Sequence, residues 1–157
     1  MKRILIGGLA GAIATIPQSG TVWGLRRMGV YRGKAAPEVV SEHLTNQVVD
    51  MDQMSKPQRT AIKTAQHVGY GAVCGAAYGL LTTIFAANAL TGALAGLGLW
   101  KMSYDGWIPA AGILPPPEQD EQGRQAALIA AHAVYGASLG ALTGTLMQID
   151  RDSVPVL

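Results

Sequence analysis

Three stretches of this chain carry no Asp, Glu, Lys or Arg: Ile4–Leu25 (22 residues), Thr64–Trp100 (37 residues) and Gln125–Ile149 (25 residues). A helix on the surface of a soluble protein keeps a charged stripe opposite its core face, and these stretches have none. Charged residues make up 14% of the chain, against about 25% in ordinary soluble domains. The single cysteine excludes a disulfide scaffold, and the low charge excludes a disordered chain. The 157 residues suit one domain, and the charge-free runs suit a bilayer.

A span needs about 20 mostly apolar residues. The first and third runs supply one each. The middle run would be about 55 Å long as one helix, too long for a hydrocarbon core of about 30 Å, so it must turn back. Asn88 in Ala86-Ala87-Asn88 marks the hinge. The expectation is an all-α membrane protein with four transmembrane helices near 3–25, 58–85, 88–106 and 124–148. These spans are rich in Gly and Ala, 44 residues in all, which explains a mean hydropathy of only +0.23. Met1-Lys2-Arg3 before an apolar run resembles a signal peptide, but Pro17-Gln18 inside the run argues for a retained span. A short amphipathic helix is expected at 37–49, opened by Pro37 and carrying Val40, Leu44 and Val48 at helical spacing. Pro115-Pro116-Pro117 ends the third span, and Glu118, Asp120 and Glu121 suit the start of the fourth.

Basic residues set the expected orientation. Nine of them (Arg26, Arg27, Arg32, Lys34, Lys56, Arg59, Lys63, Lys101, Arg124) fall in the two long loops and at their flanks. Lys2, Arg3 and Arg151 fall on the other side. This places the long loops in the cytoplasm and both termini outside. Flanking the spans accounts for all of these charges, so no nucleic-acid partner is expected. The expected partners are the bilayer and other membrane subunits or a second copy.

Residues 67–79 and 132–144 both read H-x-x-Y-G-A-x-x-G-A-x-x-G, with seven positions matching in register. A weaker echo pairs Leu9-Ala10-Gly11 with Leu94-Ala95-Gly96. The chain therefore reads as two helical hairpins in a parallel repeat, with a pseudo-twofold axis along the membrane normal. Gly71, Gly75 and Gly79 share one helix face, as do Gly136, Gly140 and Gly144. Gly7 with Gly11 and Gly92 with Gly96 supply G-x-x-x-G on the other two helices. Small residues let helix backbones approach where lipid removes the hydrophobic drive. Leu99 is expected to face lipid.

His67 and His132 lie four residues before the first glycine of each motif, on the packing face and at one depth. Intramembrane ionisable residues are functional candidates. The pair could hydrogen-bond neighbouring helices, titrate or contact a substrate together with Tyr70 and Tyr135, or ligate a b-type haem. It could also bind a transition metal with Cys74 or Asp105. Packing is the first reading. Haem fits poorly because small-residue stripes draw helices together, and metal fits poorly because Cys74 sits two turns deeper, so no cofactor or metal is expected. Asp105, the one acidic residue in a span, either rests in a wet interfacial belt with Trp100, Tyr104 and Trp107 or faces the histidines. Pro17-Gln18-Ser19 kinks the first helix or exposes a polar site.

Gly8-Leu-Ala-Gly11-Ala-Ile-Ala-Thr15-Ile-Pro17, Ala65-Gln-His67-Val-Gly-Tyr70-Gly71, the segment from Trp100 that ends Trp107-Ile-Pro-Ala-Ala-Gly-Ile-Leu-Pro115, and Ala131-His132-Ala-Val-Tyr135-Gly136 carry a resemblance to the YagU-like family. That family comprises small bacterial inner-membrane proteins of unknown function. The resemblance covers most of the chain apart from 35–57 and the C-terminal tail. It implies an inner-membrane location and brings no activity or site residues. No phosphate loop, H-E-x-x-H or nucleophile elbow occurs. The expected function is non-enzymatic: an accessory subunit of a membrane complex or a homo-oligomeric scaffold. A small transporter or channel using the histidine pair is the alternative, and a haem-bearing redox subunit the third.

Overall fold

A computed structural model of the protein describes residues 1–153, and among these it is all-helical. Helix α1 spans Lys2–Arg27 and runs unbroken through Pro17. Helix α2, Ala36–Asn46, opens on Pro37 at its first turn and ends three residues before the expected limit, leaving Val48 84% exposed beyond it. Helix α3 spans Lys56–Leu81. Ser55 caps it, and the Ser55 backbone N–H donates to Gln58 Oε1 at 2.9 Å, the reciprocal arm of a capping box.

Helix α4 covers Ala89–Met102. Asn88 starts it by accepting from the Leu90 and Thr91 N–H groups, both at 3.0 Å, so the residue that marks the hinge is the cap of the returning helix. The helix before it ends at Leu81, four residues short of the expected 85. The charge-free run is thereby divided unequally between α3 and α4. After Met102 the backbone widens into a π turn over Ser103–Trp107 and closes with a last turn, Ile108–Ala110. Pro109 explains the widening: it lacks the N–H that the Asp105 carbonyl would accept from, and its ring crowds that carbonyl. Helix α5 spans Gln122–Asp152. Two helices, α1 and α5, are long and apolar enough to cross a membrane. In α3 the first three turns are polar, and α4 is short before its π turn, so neither meets that measure alone.

The long helices lie side by side in the order α3–α1–α5–α4. Glycine fixes two of these contacts. A Cβ added to Gly11 would sit 2.7 Å from Gly75 Cα, and one on Gly7 would sit 2.8 Å from Gly79 Cα. Across the other pair, a Cβ on Gly92 would sit 2.7 Å from Gly140 Cα, and one on Gly136 would sit 2.9 Å from Gly96 Cα. Gly71 meets the Thr15 methyl, and Gly144 abuts the Ala87 carbonyl. Backbone therefore touches backbone within each hairpin, where dispersion and Cα–H···O contacts hold it.

Between the hairpins the packing is unequal. On one side α1 and α5 close against each other, with Ala10 and Ala14 fully buried beside Tyr135 and Leu139. The seam that the repeat makes equivalent to this one lies between α3 and α4. Away from the connecting turn, few of its Cα atoms come within 8 Å of each other, and the helices meet through side chains such as Tyr78 Oη and Thr91 Oγ1, 2.9 Å apart. A strict twofold would have made the two seams alike. Leu99 does not face outward as expected: it packs on the core beside Cys74 and Ala95.

A second apolar cluster, at the end of the molecule that carries α2, joins Ala36, Tyr104, Ile108, Leu114 and Leu128. Tyr104 is 1% exposed, which corrects its placement in an interfacial belt. Its hydroxyl donates to Asp120, which also pairs with Arg124 at 2.9 Å. That ion pair is nearly solvent-free, with side chains 5% and 13% exposed, so Arg124 is an internal strut and not a flanking charge.

Candidate functional site

In the open seam between α3 and α4 lies a cavity of about 380 Å³, roofed by α2. Volumes of this order hold small ligands. His67 comes to it from α3 and His132 from α5, so two residues 65 positions apart face one space. Tyr70 and Tyr135 line it as well. The rest of the wall is mostly apolar, contributed by Val40 and Leu44 of α2, Leu99 of α4 and Leu128 of α5.

The two copies of the motif meet different surroundings. Tyr135 is 2% exposed, and its hydroxyl donates to the Gly71 carbonyl at 2.7 Å, tying α5 to the other hairpin. Tyr70, its counterpart, is 45% exposed at the cavity mouth. His132 Nδ1 lies 2.8 Å from the Leu128 carbonyl. A carbonyl only accepts, so Nδ1 carries the proton and Nε2 of the neutral ring is a bare acceptor. Among the described residues no protein group partners Nε2. His67 Nε2 sits 3.4 Å from Ser19 Oγ, at the long limit of a hydrogen bond.

Most other polar groups in the wall are already engaged. Ser41 donates to Gln66, Gln66 in turn donates to Thr45 at 3.1 Å, and Ser103 donates to the Leu99 carbonyl at 2.7 Å. The roof helix is held by charge: Lys63 of α3 reaches Glu38 at 3.0 Å and Glu42 at 2.7 Å, and Lys34 reaches Glu42 at 2.7 Å. Hydrogen bonds from Lys34 and then Lys63 hold the Glu42 carboxyl below the usual carboxylate range.

Asp105 stands apart. It sits on the π turn, paired with Lys101 at 2.5 Å and part-exposed, and does not line the cavity, which agrees with the wet reading and not with the alternative that it faces the histidines. The extra residue in the π turn instead brings Ser103, Tyr104 and Trp107 to the cavity wall. Gln18, 8% exposed beside Pro17, also reaches the wall from α1. The ten motif glycines lie at the hairpin contacts and, Gly71 apart, away from the cavity. Sequence reasoning named Tyr104 and Asp120 but missed their contact, which spans 16 residues and a triple-proline loop without any local signal. It also missed Ser41 and Gln66, although Ser41 could have been found as the polar residue on the inner face of an amphipathic helix.

Among the described residues no three His, Cys, Asp or Glu side chains gather where a metal ion could be held. No protein-family model, curated protein or solved structure matches the chain. The likeness to the YagU-like family rests on the four sequence segments given above alone.

Proposed function

We propose that this is a non-enzymatic, four-span protein of a bacterial inner membrane that holds a small lipophilic ligand in the α3/α4 cavity, as a carrier or as the ligand-binding subunit of a membrane assembly. The observation that supports this reading most is the convergence of His67 and His132, from the two copies of one motif, on a single apolar cavity. In this reading α3 and α4 complete the spans. With the π turn and last turn included, α4 reaches Ala110, about 33 Å at the helical rise, while the polar first turns of α3 stand in the cytoplasmic headgroups beneath α2. Eight flanking basic residues on that side, Arg124 being internal, support a cytoplasmic location for it with both termini outside. The likeness to the YagU-like family supplies the bacterial inner-membrane assignment.

Thermal unfolding of the purified protein in detergent, run against a panel of uncharged lipophiles, tests the proposal. A ligand at a hundred times its Kd stabilises by about 2.7 kcal/mol. At least one compound is expected to raise the Tm, and the shift should vanish in His67→Ala/His132→Ala. A panel without effect on the wild type would defeat it. The scaffold reading draws on exposed Leu5, Leu9, Ile16 and Trp23 along α1, a face that suits a second copy as well as lipid. A native mass above one chain, with no ligand effect, would select it. A Soret band in the same preparation would select the haem reading.

A further inference from the structure

We infer, building on the ligand-holding reading above, that the ligand is an uncharged membrane-dissolved alcohol or phenol, which reaches the cavity sideways between α3 and α4 and donates its hydroxyl to His132 Nε2. The acceptor assignment follows from the Leu128 carbonyl, which fixes the His132 tautomer. An acceptor that faces an apolar cavity without a protein partner favours a ligand that can donate over one that only accepts. The absence of charge follows from the wall. None of its lining residues is Asp, Glu, Lys or Arg, and an ion would lose its hydration there without compensation.

The route follows from the unequal seams. The mouth is rimmed by exposed apolar and aromatic side chains: Tyr70 at 45%, Val73 at 68%, Trp107 at 41% and Leu44 at 45%. On the cytoplasmic face, α2 covers the cavity and is tied down by Lys63, Glu38 and Glu42. On the opposite side Tyr135 bolts α5 to the Gly71 carbonyl. Between α3 and α4 the Tyr78–Thr91 contact lies at the far end, beside the connecting turn, so at the level of the cavity this seam is the one that opens toward the acyl chains. Gly69 stands in that mouth, exposed and with nothing within 4 Å of an added Cβ, so a large side chain fits there without disturbing helix packing.

The experiment uses the full chain in lipid nanodiscs and a diazirine-bearing hexadecanol as probe. Flashes at intervals after mixing report labelling of the inner wall, Leu128 and His132, by mass spectrometry. Competition with plain hexadecanol and with 1-methoxyhexadecane follows. The alcohol is expected to compete at a concentration at least tenfold lower than the ether, because the ether has no proton to give. Gly69→Trp should slow inner-wall labelling at least tenfold while lipid-facing Leu94 is labelled as before. An ether as potent as the alcohol overturns the ligand class, and this comparison uses unmodified protein. Unslowed labelling of Gly69→Trp overturns the sideways route. Wild-type protein without saturable inner-wall labelling overturns the ligand-holding reading itself, and the inference with it.

Discussion

Replacing Gly75 by alanine adds one methyl group where the two backbones of a hairpin meet. The new Cβ would lie 2.7 Å from Gly11 Cα and overlap the Gly7 carbonyl oxygen. Both neighbours are helix backbone, so no side chain can swing aside. Restoring ordinary separations near 3.4 Å requires α1 and α3 to part by at least about 0.7 Å at Gly11 and by more at the Gly7 oxygen, which weakens the backbone packing all along the glycine stripe. Overpacking of this kind costs about 1–3 kcal/mol, and every Cα–H···O bond broken by the separation forfeits about 0.5–1 kcal/mol. Alanine returns about 0.5–1 kcal/mol through its better helix propensity. The control is Gly20→Ala on α1, where an added Cβ meets nothing within 4 Å and only the propensity gain remains. The two variants should therefore differ by about 2–3 kcal/mol. For a chain of this size that is a Tm difference of roughly 5–10 °C, measured by thermal unfolding in one detergent. Gly140→Ala should behave like Gly75→Ala, since its Cβ would lie 2.9 Å from Gly92 Cα, and leucine at either position should be worse. Equal melting of Gly75→Ala and Gly20→Ala would refute backbone-to-backbone packing of the hairpin.

Three further outcomes are expected. Tyr135→Phe should lower stability by about 0.5–1.5 kcal/mol because it removes the hydrogen bond to the Gly71 carbonyl while that carbonyl keeps its helical partner, whereas Tyr70→Phe, at an exposed position, should leave the Tm unchanged. The depressed Glu42 carboxyl contributes stability that is present above its unfolded pKa and is lost as pH falls through the lower folded value. Hydrogen exchange in α2, corrected for intrinsic rates, should thus stay slow down to about pH 4 and rise below it; a rise already at pH 6 would contradict the clamp. Single cysteines at Lys34 and Ser153, in a Cys74→Ser chain, should react with a membrane-impermeant maleimide from opposite sides, and periplasmic labelling of position 34 would reverse the orientation.

What could be read from the sequence follows the range of the forces involved. The helices announced themselves through charge-free runs and local signals: Asn88 and Pro37 act within three residues of where they stand, as does the Ser55–Gln58 cap that the structure adds. The repeat made the histidines and tyrosines equivalent, and it located the glycine contacts because spacing on one helix suffices for that. It could not reveal that two equivalent tyrosines meet different fates, since that depends on how one hairpin leans on the other. Pairing Leu99 with lipid failed for the same reason. Asp105 drew notice as the one acid in a span, yet its partner is Lys101 one turn away, while Tyr104 joins the Asp120–Arg124 pair in a buried network through a contact of 16 residues that no local pattern predicts.

The unequal seams have a consequence for how such a site can be built at all. Two separate, identical hairpins meeting about a twofold axis must form two identical interfaces, because whatever one surface does its copy also does. Both would be shut, or both would be open, and a bound molecule would face either no room or two half-strength pockets. Joining the halves covalently through residues 82–88 lifts that condition. One tyrosine can then serve as a bolt while its twin is left at a doorway, and a single chain can be rigid along one flank and hollow along the other.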